Sequence, residues 1–219
     1  DPKIAAKTVR RKEHIELARK IAQSSITLLK NENSILPLSK MINKVAVIGP
    51  NADNRYNMLG DYTAPQEDSN VKTVLDGIIT KLSPSRVEYV RGCAIRDTTV
   101  NEIEQAIEAA RRSEVVIVVV GGSSARDFKT KYISTGAATV SEDAKTLPDM
   151  DCGEGFDRSS LRLLGDQEKL ISAVASTGKP LVVVYIQGRT MNMNLAAEKA
   201  QALLTAWYPG EQGGMGIAD

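Results

Sequence analysis

The residues best suited to chemistry lie in one long segment, residues 123–160, which shows neither a helical nor a strand period. The segment carries seven carboxylates: Asp127, Glu142, Asp143, Asp149, Asp151, Glu154 and Asp157. Carboxylates on a long loop often serve solubility alone. Glu154 differs because glycines flank it, and glycines allow a tight backbone path and the close approach of a ligand. Since shielding from water raises the pKa of a carboxyl group towards neutrality, Glu154 is a candidate general acid.

The neighbours of Glu154 are suited to support rather than to chemistry of their own. Asp157 and Arg158 follow closely in the sequence, as a pair that could form a local ion pair or tie the loop down. Cys152 lies two residues before Glu154. The chain has one histidine, His14, which falls inside a helical pattern, so no base is expected to activate the thiol.

Neither a metal nor a cofactor is expected. The spacing of Asp149, Asp151 and Gly153 resembles part of a calcium loop, but the twelve-residue pattern is incomplete. The glycines at 49–51 and 210–216 form neither a dinucleotide motif in a βαβ setting nor a phosphate loop with its lysine. We interpret both as tight turns.

The single tryptophan, Trp207, ends an apolar run at residues 202–207. Its ring could pack in the core. Alternatively, an aromatic face at the carboxyl end of a strand could receive the apolar face of a sugar ring.

The elements that must position these residues alternate along the chain. Apolar periodicity predicts helices over residues 14–32, 71–82, 100–112, 166–176 and 196–200, and apolar runs predict strands over 45–48, 87–90, 115–120, 181–186 and 202–207. This alternation indicates an α/β fold with a mostly parallel sheet covered by helices on both faces. The segment 123–160 leaves the carboxyl end of the most apolar strand, where open α/β sheets bind ligands.

Composition excludes several classes of protein. The chain has 219 residues, 42% hydrophobic and 25% charged, and a net charge of +1 gives no electrostatic case for nucleic acid or an anionic membrane. Apolar stretches such as residues 115–120 are far too short to cross a bilayer core of roughly 30 Å. Two cysteines cannot form a disulfide scaffold. The chain opens without an initiator Met and closes on a glycine-rich turn entering a helix, so we expect a fragment of a longer protein.

Several blocks, in order along nearly the whole chain, resemble glycoside hydrolase family 3. They are the T-L-L-K-N of residues 27–31, V-A-V-I-G-P-N-A-D at 45–53, L-G-D-Y at 59–62, E-G-F-D-R at 154–158 with Leu161 and Gln167 after it, G-K-P to G-R at 178–189, and W-Y-P-G-E-Q-G-G at 207–214. The similarity is to the C-terminal α/β sandwich domain, a three-layer fold, and to the helix leading into it. The G-S-S-A-R-D of residues 122–127 looks like the β-xylosidase branch.

The resemblance implies a retaining, exo-acting β-xylosidase or β-glucosidase that acts on β-linked oligosaccharides or glycosides. In such enzymes an N-terminal (β/α)8 barrel carries the aspartate nucleophile and the sandwich carries the acid/base glutamate, which is Glu154 by position. Asp157 and Arg158 are then supporting residues, and Asp127, Glu142 and Trp207 are candidates for substrate contacts. No metal or other cofactor is implied.

The same resemblance predicts the domain organisation. Residues 1–40 are expected to form a linker and lead-in helix from a missing barrel, and residues 41–219 a sandwich truncated at its C-terminal end. The fragment is expected to be inactive without the barrel, which would make most contacts to the first sugar and so decide between xylose, glucose and arabinose. Family membership suggests a secreted or periplasmic enzyme. The alternative is a non-catalytic α/β module that binds a sugar, a nucleotide or a partner protein.

Overall fold

The computed structural model describes residues 2–63, 66–124, 149–153 and 156–219. The strands in these ranges are β1 (Thr27–Asn31), β2 (Val45–Ile48), β3 (Val87–Val90), β4 (Val115–Gly121), β5 (Leu181–Ile186) and β6 (Ala202–Trp207). The α-helices are α1 (Pro2–Thr8), α2 (Lys12–Ser25), α3 (Arg55–Leu59), α4 (Val74–Leu82), α5 (Ile103–Arg111), α6 (Gln167–Ala175), α7 (Asn194–Lys199) and α8 (Gly213–Ala218). Within the described ranges, no helix combines the length and the apolar content needed to cross a membrane.

The six strands form one sheet in the order β1-β6-β5-β4-β2-β3. All neighbouring pairs are parallel except β1 and β6, which are antiparallel. The central strands are rich in valine and isoleucine, and every residue of β2, β4 and β5 is buried. Continuous apolar runs are typical of parallel strands covered on both faces. The predicted mostly parallel sheet is therefore confirmed.

Alternate side chains of the strands contribute to two separate hydrophobic cores, one on each face of the sheet. One core joins residues such as Val118 and Val183 to α5, α6 and α7, and the other joins residues such as Val119 and Val184 to α3 and α4, with α8 packed at its edge. Successive strand residues point to opposite faces, so a fully apolar strand serves both cores. This arrangement of helices, sheet and helices is the predicted three-layer sandwich.

The helix predicted over residues 14–32 is wrong in its second half. Helix α2 ends at Ser25, and Ile26 is already extended, with φ −64° and ψ 129°. A β-branched residue here favours an extended backbone. The spacing of Leu28 and Leu29 fits a helix equally well, but their backbone belongs to a strand that pairs with the edge of β6. Strand β1 thus lies in the sheet, although it falls within the segment 1–40 that is predicted to precede the sandwich.

Helix α2 packs on the outside of the domain, against α8 and the end of β6. Ala22 is the one residue of α2 that is buried. Leu17 and Ile21, on the predicted apolar face, remain 56% and 60% exposed.

The glycine-rich stretch near the end of the chain is part of a helix. The tight turn predicted over residues 210–216 is present at its start, where the Gly213 N–H donates to the Gly210 carbonyl at 3.0 Å, but Gly213, Gly214 and Gly216 belong to α8. A Cβ added to Gly214 would lie well within 3.0 Å of the Thr73 carbonyl, so there is no room for a side chain. These glycines therefore let α8 approach its neighbours closely.

Candidate active site

The sheet has a topological switch point between β2 and β4. Strand β3 follows β2 in the sequence and lies on one side of it, whereas β4 lies on the other side. Connections that diverge in this way leave a crevice at the carboxyl ends of the two strands, where α/β proteins bind ligands. Asn51 follows β2 and Ser123 follows β4, so both lie at this crevice.

A chain of buried hydrogen bonds joins the elements around the crevice. Asn51 Nδ2 donates to the Gly122 carbonyl at 3.2 Å, and Asn57 Nδ2 of α3 donates to Asn51 Oδ1 at 2.6 Å. Ser123 Oγ donates to Asn57 Oδ1 at 2.6 Å. Because polar groups inside a protein are costly unless they are hydrogen-bonded, this connected set holds β2, α3 and β4 in one arrangement.

Asp151 extends this network into the segment that carries the predicted acid. Its backbone N–H donates to the Ser123 carbonyl, and its Oδ1 accepts from the Ser123 N–H, both at 2.8 Å. Its Oδ2 accepts from Arg158 Nη1 at 2.7 Å, in an ion pair whose side chains are 0% and 9% exposed. A Cβ on Gly122 would collide with this carboxylate. Asp151 is therefore a structural anchor with both oxygens engaged.

Asp157 does not share in this anchoring. Its side chain is 94% exposed and lies 3.7 Å from Arg189 Nη1. Its Oδ1 accepts the backbone N–H of Arg158 at 2.7 Å. Of the two roles predicted for Asp157 and Arg158, the ion pair between them is therefore wrong, and Arg158 pairs with Asp151 instead. The Arg158 guanidinium points into the fold, where its second contact is a 2.8 Å hydrogen bond from Nε to the Ser160 carbonyl.

Three of the predicted site residues, Glu154, Asp127 and Glu142, lie outside the described residues. Gly153, to which Glu154 is bonded, lies against Asp61 and Ser124: a Cβ built on it would be 3.2 Å from Asp61 Oδ2 and 3.3 Å from Ser124 Cβ. The Asp61 N–H in turn donates to Ser124 Oγ at 3.1 Å. The residue before the predicted acid therefore lies at the carboxyl end of β4.

Tyr208 lies beside Cys152 and packs against two glycines. Its hydroxyl shares a hydrogen bond of 3.4 Å with Cys152 Sγ. The ring lies against Gly60 and Gly188, and a Cβ at either glycine would overlap it. Burial raises the pKa of the Tyr208 hydroxyl well above its ordinary value, so the group stays protonated and can donate a hydrogen bond.

Comparison with known proteins decides the family. Residues 26–219 match the model of the Glycosyl hydrolase family 3 C-terminal domain. The chain belongs to this family. It is 36% identical to a β-xylosidase of Formosa agariphila and 30% identical to a periplasmic β-glucosidase of Salmonella typhimurium, in each case over 94% of this chain and 26% of the relative. The resemblance predicted from the sequence blocks is confirmed.

Solved structures of β-glucosidases share the fold. A β-glucosidase from Erythrobacter marinus superposes on the whole chain with a TM-score of 0.79 and 32% identity, over 29% of its own length. A β-glucosidase from Listeria innocua in complex with isofagomine gives 0.77 and 25% identity, covering 97% of this chain and 26% of its own. The family 3 domain described here thus spans about a quarter of the length of the relatives it matches.

Trp207 in this family 3 domain forms a hydrogen bond with the end of α2. Its indole Nε1 donates to the Ser25 carbonyl at the end of that helix, at 3.2 Å, and its backbone φ of 58° turns the chain at the end of β6. The side chain is 47% exposed, so it is not a core residue. Among the described contacts, none joins Trp207 to the network around Asp151.

The two thiols of the family 3 domain are poor nucleophiles. Cys93 is fully buried, and burial raises the pKa of its thiol to about 12. Burial also raises the pKa of the half-buried Cys152 thiol, an effect that the hydrogen bond with Tyr208 partly offsets. The thiolate is the reactive form, so both groups are less reactive at neutral pH than an exposed cysteine.

We therefore expect iodoacetamide at pH 8 to alkylate native Cys152 slowly and native Cys93 not at all, and both at the ordinary rate after unfolding in urea. Raising the pH towards 10 should speed the labelling of Cys152, because more thiolate forms. Mass spectrometry of peptides from the native and unfolded samples measures both rates. Fast labelling of Cys93 in the native sample would contradict this expectation.

Sequence reasoning missed most of the residues that build the site. Asn51 was part of a predicted turn, and Asn57, Ser123 and Tyr208 were given no role. The available signal was position, since Asn51, Ser123 and Tyr208 each follow the carboxyl end of a strand. In the ranges described, no three His, Cys, Asp or Glu side chains form a group that could hold a metal ion.

Proposed function

We propose that this domain supplies the general acid/base, Glu154, to a retaining β-glycosidase of the β-xylosidase or β-glucosidase type. The observation that carries the proposal is the anchoring of the segment around Glu154. Asp151 before it and Arg158 after it are joined by a buried ion pair at the carboxyl end of β4. A general acid must stay within hydrogen-bonding reach of the leaving oxygen, so it needs such a fixed support.

A retaining mechanism needs a second carboxyl group about 5–5.5 Å from the first, to act as nucleophile. Asp151 is unsuited to that role, because its side chain is 0% exposed and both oxygens accept hydrogen bonds. Asp157 is unsuited for the opposite reason, since its side chain projects into solvent. We assign the nucleophile to another domain of the same protein, a (β/α)8 barrel as the family resemblance implies.

Two observations support a neighbouring domain. The relatives are about four times as long as this chain, which covers 26% of each. Leu17 and Ile21 form an exposed apolar pair on α2, of the kind that a neighbouring surface commonly covers. Residues 1–40 would lead from that barrel into the sandwich, with β1 already contributing to the sheet.

The substrate we propose is a β-linked oligosaccharide or glycoside, as the names of the relatives suggest. Asp157 and Arg158 have supporting roles in this proposal, Arg158 through Asp151 and Asp157 only at the surface. Asp127, Glu142 and Trp207 stay predicted substrate contacts. The identity of the first sugar depends on the barrel.

Because one carboxylate cannot carry out a double displacement, we expect the isolated 219-residue chain to have no glycosidase activity. The test compares this chain with the full-length enzyme on 4-nitrophenyl β-xyloside and β-glucoside, with a Glu154→Ala version of the chain as the blank. Turnover by the full-length enzyme alone supports the proposal. Turnover by the isolated chain above its blank would show that a complete catalytic site lies within these residues. A full-length protein with no activity on any aryl glycoside would favour a non-catalytic binding module.

A further inference from the structure

An ion pair joins two residues that lie on either side of Glu154 in the sequence. Asp151 and Arg158 are seven positions apart, and their side chains meet in an ion pair of 2.7 Å that is almost entirely buried. The ion pair therefore fixes Asp151 and Arg158, which lie on either side of Glu154 in the sequence, relative to each other.

Asp151 joins this ion pair to the sheet. The second oxygen of Asp151 accepts from the Ser123 N–H, directly after β4, and the Asp151 N–H donates back to the Ser123 carbonyl. Ser123 Oγ continues the chain of hydrogen bonds to Asn57. Gly122 leaves just enough space for the carboxylate, since a Cβ there would overlap it. Asp151 cannot shift without breaking several buried interactions.

We propose that Asp151 and Arg158 are a positioning pair that holds Glu154 at the distance from the leaving oxygen that proton transfer requires. The inference rests on the acid/base role proposed for Glu154. Asp151 acts through the loop geometry and neither contacts the substrate nor exchanges a proton with it. General acid catalysis depends steeply on this distance, and a displacement of 1 Å costs about 100-fold in rate.

A positioning role changes how the rate depends on the leaving group, whereas a purely stabilising role does not. A misplaced Glu154 slows the substrates whose leaving groups need protonation, whereas activated aryl glycosides leave without acid help. A loss of stability lowers the amount of folded enzyme and slows both substrates equally. The ratio of kcat/KM for an activated substrate to kcat/KM for an unactivated one therefore distinguishes a misplaced Glu154 from a loss of stability. This ratio does not depend on the fraction of enzyme that is folded.

The experiment uses the full-length enzyme with two substitutions of the pair. Asp151→Asn keeps the shape and the acceptor for the Ser123 N–H but removes the charge that pairs with Arg158. Arg158→Lys keeps a positive charge but loses the planar fork that reaches both Asp151 and the Ser160 carbonyl. The substrates are the 2,4-dinitrophenyl glycoside and the corresponding disaccharide.

We expect Asp151→Asn to raise the ratio by about 10–100-fold, and Arg158→Lys to raise it by a smaller factor in the same direction. The matched control is Glu88→Gln, which removes a carboxylate that pairs with Lys44 and Arg112 at the opposite end of the strands. The control should leave the ratio unchanged.

Glu154→Ala, measured alongside, keeps the two proposals separable. If Glu154→Ala raises the ratio and neither substitution of the pair does, the positioning inference is wrong while the acid/base proposal stands. If Glu154→Ala itself leaves the ratio unchanged, the proposed function has failed. A raised ratio in Glu154→Ala and in either variant of the pair supports both.

Discussion

Replacing Glu154 by Ala in the full-length enzyme should lower kcat/KM on natural β-linked disaccharides by about 10²–10⁴-fold, the usual contribution of a general acid. Such substrates have poor leaving groups, so the glycosidic oxygen must be protonated as the bond breaks. The 2,4-dinitrophenyl glycosides should lose much less, because their leaving group departs as a stable anion. Steady-state kinetics on both substrates checks the expectation.

The second half of the reaction gives an independent signature of the same residue. A retaining enzyme uses its acid/base group again, to activate the water that hydrolyses the glycosyl-enzyme. Without Glu154 this step should become limiting on activated substrates, and the glycosyl-enzyme should accumulate. Azide needs no general base, so it should restore turnover and yield a β-glycosyl azide, which NMR or mass spectrometry identifies.

Asp157→Asn is the matched control for this experiment, because it removes a nearby carboxylate whose side chain is exposed to solvent. It should cause a smaller loss on all substrates and show no azide rescue. Near wild-type hydrolysis of natural oligosaccharides by Glu154→Ala would place the proton donor elsewhere. Glu142, on the same long segment, would then be the next residue to test.

A clear loss of stability is expected for Gly77→Ala in α4. In an ordinary helix interior this substitution stabilises by about 0.5–1 kcal/mol, because glycine has more conformational freedom to lose. Here a Cβ would lie well within 3.0 Å of the Gly214 carbonyl in α8, and backbone atoms cannot move aside as a side chain does. The two helices must separate, which withdraws Val74 and Ile78 of α4 from the core.

We therefore expect Gly77→Ala to destabilise the domain by about 1–3 kcal/mol, the usual cost of overpacking. For a domain of this size that loss corresponds to a fall in Tm of roughly 2–12 °C. Urea titration followed by circular dichroism measures the free energy of unfolding, and calorimetry the Tm.

Gly178→Ala provides the comparison for Gly77→Ala. Gly178 has a φ of 70°, and nothing lies within 4 Å of a Cβ added there. Its substitution should cost only the left-handed backbone penalty of about 1–2 kcal/mol. A gain in stability for Gly77→Ala would mean that the two helices do not approach as closely as the fold indicates.

The sequence by itself determined the class of fold and the family. The strands at 45–48, 87–90, 181–186 and 202–207 have the bounds that apolar runs predicted, and β4 is only one residue longer. Such runs are informative because a parallel strand buried on both faces must be apolar at every position. The blocks quoted from the sequence, taken in order, were also sufficient to identify the family, since residues 26–219 match its model.

Only the tertiary structure decided which groups meet. Residues 27–31 carry a spacing that suits a helix, and they form a strand because the edge of β6 offers their backbone hydrogen bonds. The glycines of α8 resemble a turn locally, and their function is visible only where Gly214 meets α4. Arg158 has Asp157 beside it in sequence, yet its charge is paired with Asp151, seven residues earlier. In each case the local pattern allows several structures. The contact that selects one of them forms only when the whole fold assembles, because burial and hydrogen bonding are then satisfied together.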